Sequence, residues 1–250
     1  MYEKEKVLGY WNEQVVESMY DKHLLGCEVA LIRRQIADNS RILDAGCGEG
    51  EGTIVYSSIP GASVVAADFS ETRLAMAKTR LASRRNVTFT RADLSEVYEV
   101  GREFDFVVSQ RMLINITEWS LQQKVLRGFT VRLKIGGRLL LLEGSVDGVE
   151  ELNRFRDLLG LPPLPVRWHN LFLSDAKLEE FMNASGTKLV EKTGLGAYFL
   201  LTRGVRPCFD ATLDWDTEFN RRAAGDTIEK TLEMGCRCSR LRLWVFERCR

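Results

Sequence analysis

The chain has 250 residues, 45% of them hydrophobic, and 35 Lys and Arg balance 35 Asp and Glu to a formal net charge of zero. That length suits one α/β domain with an elaboration, the charge balance lacks the basic excess of a nucleic-acid binder, and no stretch reaches the roughly 18 consecutive apolar residues of a membrane helix. The opening MYEKEKVLGYWNEQ is charged and has no apolar signal core, so a soluble, cytoplasmic protein is expected.

In chain order, residues 11–38 read as one or two helices. Val15, Val16, Met19, Leu24, Leu25, Val29, Ile32 and Ile36 fall mostly three or four apart. An apolar strand at 41–45 carries Asp44, and Gly46, Gly48, Gly50 and Gly52 follow it. Strand, glycine loop and helix start make the geometry in which a doubly wound sheet binds a nucleotide-like ligand. The dinucleotide pattern G-x-G-x-x-G fails, because its third glycine would fall on Glu51 or Thr53. The phosphate loop G-x-x-x-x-G-K-[ST] is missing too, which leaves a nicotinamide enzyme without support. Asp44, Glu49 and Glu51 would repel a pyrophosphate and suit a cationic ligand. S-adenosylmethionine, with a sulfonium, an ammonium and no phosphate, fits that requirement.

Further strands are expected at 63–67, ending on Asp68 and Phe69, at 87–91, followed by Ala92-Asp93-Leu94, and at 104–109, ending in Ser109-Gln110-Arg111. A helix at 118–134 with Thr117 as its cap leads through Gly136-Gly137 into a strand at 137–143. Residues 144–172 read as a connection, broken by Pro162, Pro163 and Pro165. A helix at 174–184, a strand at 188–192, two helices at 196–208 and 216–234, and a closing strand at 241–247 complete the chain. Alternating strands and helices argue for a parallel sheet with helices on both faces.

The spacing D-x-G-x-G-x-G at 44–50, with acids at three successive strand ends, resembles the class I S-adenosylmethionine-dependent methyltransferases over roughly residues 38–194 and the last strand. The resemblance implies an α/β fold: a Rossmann-like, seven-stranded, mostly parallel sheet with an antiparallel last strand, to which this chain adds a helical lid segment. It divides a single domain, 1–250, into a helical cover (1–38), a core (39–194 and 236–250) and a helical insertion (195–235) that serves as a lid, substrate or dimer element. It implies S-adenosylmethionine as cofactor and S-adenosylhomocysteine as product. Asp44, Gly46, Gly48 and Gly50 would hold the cofactor, Asp68 with Phe69 the ribose side, and Asp93 with Leu94 the adenine. Gln110 and Arg111 would reach its amino-acid end or the substrate. Each position has a structural alternative: a tight turn for the glycines, helix caps for Asp68 and Asp93, a helix-flanking turn for Gln110 and Arg111.

For the acceptor, the connection after the fifth strand supplies Trp168 and His169. His169 is the expected general base, with His23, Glu143 and Asp147 as other candidates. Tyr198 and Arg203 are the expected substrate contacts, and Arg206, Arg221 and Arg222 lie nearby in sequence; arginines beside aromatics suit an acidic or sugar-like molecule. The stretches EGSVDGVEELN, LPPLPVRWHNLF and YFLLTRGVRP are similar to those of stand-alone bacterial methyltransferases encoded with surface-polysaccharide genes, which implies a sugar hydroxyl or a similar small polar acceptor. The partners expected are thus a small molecule or glycan, not nucleic acid, with a homodimer as the candidate assembly. An RNA or protein methyltransferase and a non-catalytic cofactor-binding module are the rivals. No metal is expected: Cys236-Arg-Cys238 lacks the two-residue spacing and a second ligand pair. Pro207-Cys208 is far from the place of a nucleophilic Pro-Cys pair after the fourth strand.

Overall fold

The computed structural model describes residues 4–12, 19–96, 99–210, 212 and 214–250. Two helices, α1 (Lys4–Asn12) and α2 (Lys22–Arg33), precede the sheet; the expected helical residues Val15 and Val16 lie outside the described residues. Asp21 starts α2 by accepting the Leu24 N–H at 3.0 Å, which satisfies one of the donors a helix start leaves open. Strands β1 (Arg41–Ala45), β2 (Ser63–Asp68), β3 (Val87–Arg91) and β4 (Phe104–Gln110) alternate with α3 (Glu51–Tyr56) and α4 (Glu71–Arg80). The remaining elements are α5 (Trp119–Thr130), β5 (Leu133–Gly144), α6 (Val146–Leu158), α7 (Asp175–Ala184), β6 (Thr187–Gly194), α8 (Gly196–Phe199), α9 (Glu218–Ala223), α10 (Asp226–Leu232) and β7 (Leu241–Arg248).

The seven strands form one sheet in the order β3-β2-β1-β4-β5-β7-β6. β1 to β5 pair in parallel, and β7 inserts antiparallel to both β5 and β6. The strand order reverses between β1 and β4, the switch point at which such sheets open a crevice. Successive residues of the central strands point to opposite faces. Leu139 and Leu141 join Leu43, Val107 and Phe246 against α5 and α7. Leu140 and Leu142 join Ile42, Val108 and Val245 against α2 and α3. A third apolar cluster, with Leu24, Leu152, Tyr198, Phe199 and Ala223, ties α8 and α9 to α2 and α6.

Four expectations are corrected. The stretch at 144–172 is not all connection: Ser145 caps α6 by accepting the Gly148 N–H at 3.0 Å. α5 stops at Thr130 rather than 134, because β5 begins at Leu133, beside Phe104, and bulges before Arg138. Glu118, not Thr117, occupies the cap position of α5, without a side-chain cap bond. The helix expected at 216–234 is two, α9 and α10, with Gly225 between them in an extended conformation. The expected helix at 196–208 is present as α8, continued by π-helical turns over Leu200–Val205 and a 3-10 turn over Arg206–Cys208.

Candidate functional site

The loop after β1 is built around backbone donors. The Gly46 and Cys47 N–H groups both reach Ala67 O, at 2.8 and 3.0 Å, and pin the loop to β2. Gly46 (φ +78°) lies against Met112, so closely that an added Cβ would come within 2.2–2.5 Å of its side chain. Gly48 (φ +52°) differs: a Cβ there would meet nothing within 4 Å, so the backbone faces open space. Its N–H donates to Asp68 Oδ2 at 2.9 Å, and the Ser70 N–H donates to Asp68 Oδ1 at 2.9 Å. Asp44, at the end of β1, accepts the Thr53 hydroxyl at 2.6 Å.

These groups line a cleft of about 800 Å³ at the carboxyl ends of β1, β2 and β4. Asp44, Gly46, Gly48, Asp68, Phe69, Gln110 and Arg111 are all on its wall. Burial pushes the Asp44 carboxyl up to about 6, with the Asp68 charge adding to the shift. Burial also raises Asp68, against the opposing pull of its amide donors and Arg73. Two buried carboxylates held apart from bulk water favour a cationic ligand between them. Gln110 Nε2 and Arg111 Nε both donate to Glu28 Oε2 on α2, at 2.7 and 3.0 Å. Glu28 is fully buried, and its other carboxylate oxygen has no partner among the described residues.

An adjoining recess of about 430 Å³ shares Gly46, Asp68, Phe69 and Met112 with the cleft and adds Val7, Asp93 and Leu94. Asp93 Oδ1 accepts from Ser95 N and Oγ at 2.9 and 2.6 Å, and Oδ2 pairs with Lys4 at 2.6 Å. Burial pushes Asp93 upward, but Lys4 and Ser95 outweigh it and hold the carboxyl low. Asp93 therefore faces the recess with both oxygens engaged, Oδ1 within a turn at Ser95.

The other expected residues are placed differently. Gly50 is on neither wall; it caps α3 and packs on Ala77 of α4 and on Leu81, which follows that helix. His169 is buried and also lines neither wall. Its ring lies 4.6 Å from that of Tyr10 and 5.8 Å from that of Trp11, which itself lines the cleft. Burial and Arg167 lower its pKa, so the imidazole is neutral at neutral pH, and Nδ1 has no partner among the described residues. Trp168 is half-exposed under Lys6, whose ammonium sits 4.5 Å from the ring centre. Tyr198 and Arg203 meet away from the cleft: the Tyr198 hydroxyl donates to Asp21 at 2.8 Å and Arg203 Nη2 pairs with it at 2.5 Å. Arg206 is buried against Asp210, Asn220 and Thr212, while Arg221 and Arg222 pair with Glu218 at the surface. His23 meets Asp216 at 3.1 Å, and Asp147 accepts the Asp175 N–H at 2.9 Å.

The structure also adds residues that strand-end reading missed. Arg73 of α4 pairs with Glu49, donates to Trp11 O at 3.0 Å and lies over the Trp11 ring. Asn115 holds the Arg111 and Met112 carbonyls through Nδ2, while its buried Oδ1 has no partner among the described residues. Arg73 and Asn115, on the cleft wall, and Glu28, buried against Gln110 and Arg111 of that wall, carry no local motif; tertiary packing places them. Among the described residues there is no cluster of three or more potential metal ligands, and no helix is long and apolar enough to cross a membrane.

Residues 42–137 match the family model described as a methyltransferase domain. The chain is 35% identical over 147 residues to a demethylmenaquinone methyltransferase of Clavibacter sepedonicus, covering 58% of this chain and 57% of that one; it thus spans just over half the length of that curated relative. Among solved structures it resembles a chain of a complex that contains the Haloferax volcanii Trm112 methyltransferase activator, with a TM-score of 0.66, 16% identity and 98% of each chain covered. It also resembles magnesium protoporphyrin IX methyltransferase from Synechocystis with bound S-adenosylhomocysteine, with a TM-score of 0.62, 17% identity and 98% and 100% of the two chains covered. The fold is that of the class I S-adenosylmethionine-dependent methyltransferases.

Proposed function

We propose that this chain, with its class I methyltransferase fold, transfers a methyl group from S-adenosylmethionine to a small polar acceptor, a hydroxyl of a sugar or similar metabolite. One observation carries the cofactor reading. The open backbone at Gly48 and the buried pair Asp44 and Asp68 share one cleft, and such carboxylates suit a sulfonium and ammonium rather than a phosphate. The sulfonium supplies an already activated methyl group, so the chain's task is alignment, which is worth about 7–11 kcal/mol in well-oriented reactions.

Asp68 would take the ribose hydroxyls, a site where a carboxylate can accept two bonds at once. Leu94 and Phe69 would cover the adenine in the adjoining recess. Asp93 would serve its amino group by sharing Oδ2 with Lys4. Arg111, braced by Glu28, would face the cofactor carboxylate or the acceptor. His169 would take the acceptor proton; its neutral imidazole suits that role, provided Tyr10 and Trp11 yield to the acceptor. The helical insertion, 195–235, would cover the acceptor side.

A second reading, an aromatic acceptor, is favoured by the ring cluster of Tyr10, Trp11, Trp168 and His169 beside the likeness to the demethylmenaquinone enzyme. The test is calorimetric titration of S-adenosylhomocysteine, followed by incubation with methyl-labelled S-adenosylmethionine and fractionated lysate. Binding with label in polar metabolites or glycans supports the reading. Label in an apolar aromatic fraction supports the second, and label in RNA or protein overturns both. Absence of binding overturns the cofactor assignment.

A further inference from the structure

Asn115 stands where the cleft and its adjoining recess meet, on the wall of both. It closes a 3-10 turn, Leu113–Asn115, that follows β4. Its N–H donates to Met112 O at 3.0 Å, and its Nδ2 donates to Arg111 O at 2.8 Å and to Met112 O at 3.3 Å. Those two carbonyls fix the amide, because the flipped amide would set Oδ1 against two oxygens. The turn is also held from outside. Glu143 accepts the Met112, Leu113 and Ile114 N–H groups. The Leu171 N–H donates to Ile114 O at 2.7 Å, and Gln122 Nε2 donates to Leu113 O and Leu171 O, both at 3.1 Å. The Asn115 side chain is thus presented in one orientation, with Oδ1 buried and without a partner among the described residues. A buried amide oxygen without a donor costs free energy until one reaches it.

The recess selects the kind of donor. Phe69, Leu94, Met112 and Ile116 give it an apolar wall, which suits a flat ring. Its two carboxylates are already engaged. Asp68 accepts the Gly48 N–H on one oxygen and the Ser70 N–H on the other. Asp93 accepts from Ser95 on Oδ1 and from Lys4 on Oδ2, so a ligand must share an oxygen with one of them. Of the side-chain carboxylate and amide oxygens on that wall, Asn115 Oδ1 is the one that accepts nothing among the described residues. An amide oxygen accepts and cannot donate, so its partner must carry an N–H or O–H at the rim of an apolar ring. The exocyclic amino group of adenine carries two such donors.

We infer that Asn115 is a specificity residue for the base of the cofactor: its Oδ1 accepts one N–H of the adenine amino group, while Asp93 takes the other. The inference rests on the methyltransferase reading and adds to it a contact supplied by the turn after β4. A purine with a carbonyl oxygen in place of the amino group would set that oxygen against Asn115 Oδ1 and Asp93. A site built to meet an N–H rejects the analogue that lacks it, because its buried polar groups are then left unpaired.

The experiment titrates S-adenosylhomocysteine and, separately, S-inosylhomocysteine, the analogue with a carbonyl oxygen in place of the amino group, into the full-length protein by calorimetry. The wild type is expected to prefer the adenine ligand about 50-fold or more. Asn115→Leu keeps the bulk and removes the acceptor; it should weaken S-adenosylhomocysteine about tenfold and S-inosylhomocysteine no more than about twofold. The preference then falls about fivefold or more. Asn115→Asp keeps an oxygen acceptor and should prefer the adenine ligand more strongly than Asn115→Leu does. Should the variants fail to fold, the wild type carries the test with the N6-methyl analogue of S-adenosylhomocysteine, which has one N–H left and should bind about fivefold or more weakly. Equal losses for both ligands in Asn115→Leu would make the residue structural only and overturn the inference, as would wild-type binding that is equal for the adenine ligand and either analogue. If S-adenosylhomocysteine binds without these differences, only the Asn115 assignment falls; if it fails to bind, the methyltransferase reading falls and the inference with it.

Discussion

Glutamate 143, at the end of β5, should give the protein a pH-dependent stability that a single-atom exchange removes. The side chain is fully buried. Oε1 accepts the Ser109 hydroxyl at 2.6 Å and the Leu113 and Met112 N–H groups at 3.0 and 3.2 Å, and Oε2 accepts the Ile114 N–H at 3.3 Å. These four donors favour the carboxylate, yet burial outweighs them and pushes the group from 4.5 up to about 7. A raised carboxyl pKa means that the folded chain keeps a proton the unfolded chain has released. Its stabilising contribution is full below about pH 4.5 and is lost as pH rises through 7. With about 1.4 kcal/mol per tenfold change, the loss between pH 5 and pH 8 is about 2–3 kcal/mol.

Glu143→Gln keeps the shape but cannot ionise. Its amide oxygen can take the place of Oε1, while its NH₂ would face the Ile114 N–H and cost about 1–3 kcal/mol. The variant should therefore be less stable than wild type at pH 5. It should recover about 2–3 kcal/mol relative to wild type by pH 8. Urea unfolding of both proteins at pH 5, 6, 7 and 8 reads this difference, and the titrations of Asp44 and Asp68 cancel in it. A difference that stays flat with pH, or that moves towards the wild type as pH rises, refutes the reasoning. It would mean that the four donors hold Glu143 ionised throughout.

Asp68→Ala removes the acceptor for the Gly48 and Ser70 amides and should weaken S-adenosylhomocysteine binding more than about tenfold, since charge-assisted bonds are the strong ones; calorimetry showing unchanged affinity would end the ribose assignment. His169→Phe keeps a ring against Tyr10 and should cut turnover by about 100-fold or more while cofactor affinity holds. Full activity in that variant would remove the base role. Gly148→Ala would place Cβ 1.8 Å from Ser239 O and should destabilise by about 1–3 kcal/mol or more. Gly26→Ala, on the exposed side of α2 with nothing within 4 Å, should stabilise by about 0.5–1 kcal/mol; a thermal melt that rises for Gly148→Ala, or falls for Gly26→Ala, contradicts the prediction for that variant.

The centre of the sheet was legible because its strands are largely buried on both faces and so read as continuous apolar runs, as in Leu139–Leu142. What escaped was decided by contacts distant in sequence. β5 starts at Leu133 because β4 offers Phe104 as its neighbour, and nothing in the sequence near Leu133 announces that pairing. α6 was hidden by the prolines that follow it, although Ser145 and the acids after it carry a helix start. In the site, Asp44, Asp68, Gln110 and Arg111 were readable because a parallel sheet brings successive strand ends to one edge. Tyr198 and Arg203 were not, because their partner Asp21 lies 177 and 182 residues away. Sequence supplied residue types that could hold a substrate; the fold assigned Tyr198 to packing and left Arg203 one open amino group.

Helix α1 acts on both ends of the cleft. Lys4 engages Asp93 in the recess, Val7 and Trp11 line the two walls, and Tyr10 and Trp11 cover His169. It is anchored chiefly through polar contacts with groups that themselves shape the cleft. Ser70 donates to Asn12 at 2.6 Å, and Arg73 bridges Trp11 O to Glu49. Ser70 is also a donor to Asp68, so α1 and the Asp68 carboxylate share one hydrogen-bonded chain. A cofactor that orders Asp68 would thereby order α1, and α1 in turn sets whether His169 can be reached. Cofactor and acceptor binding would then be coupled: each should tighten the other by the same factor, as linkage requires.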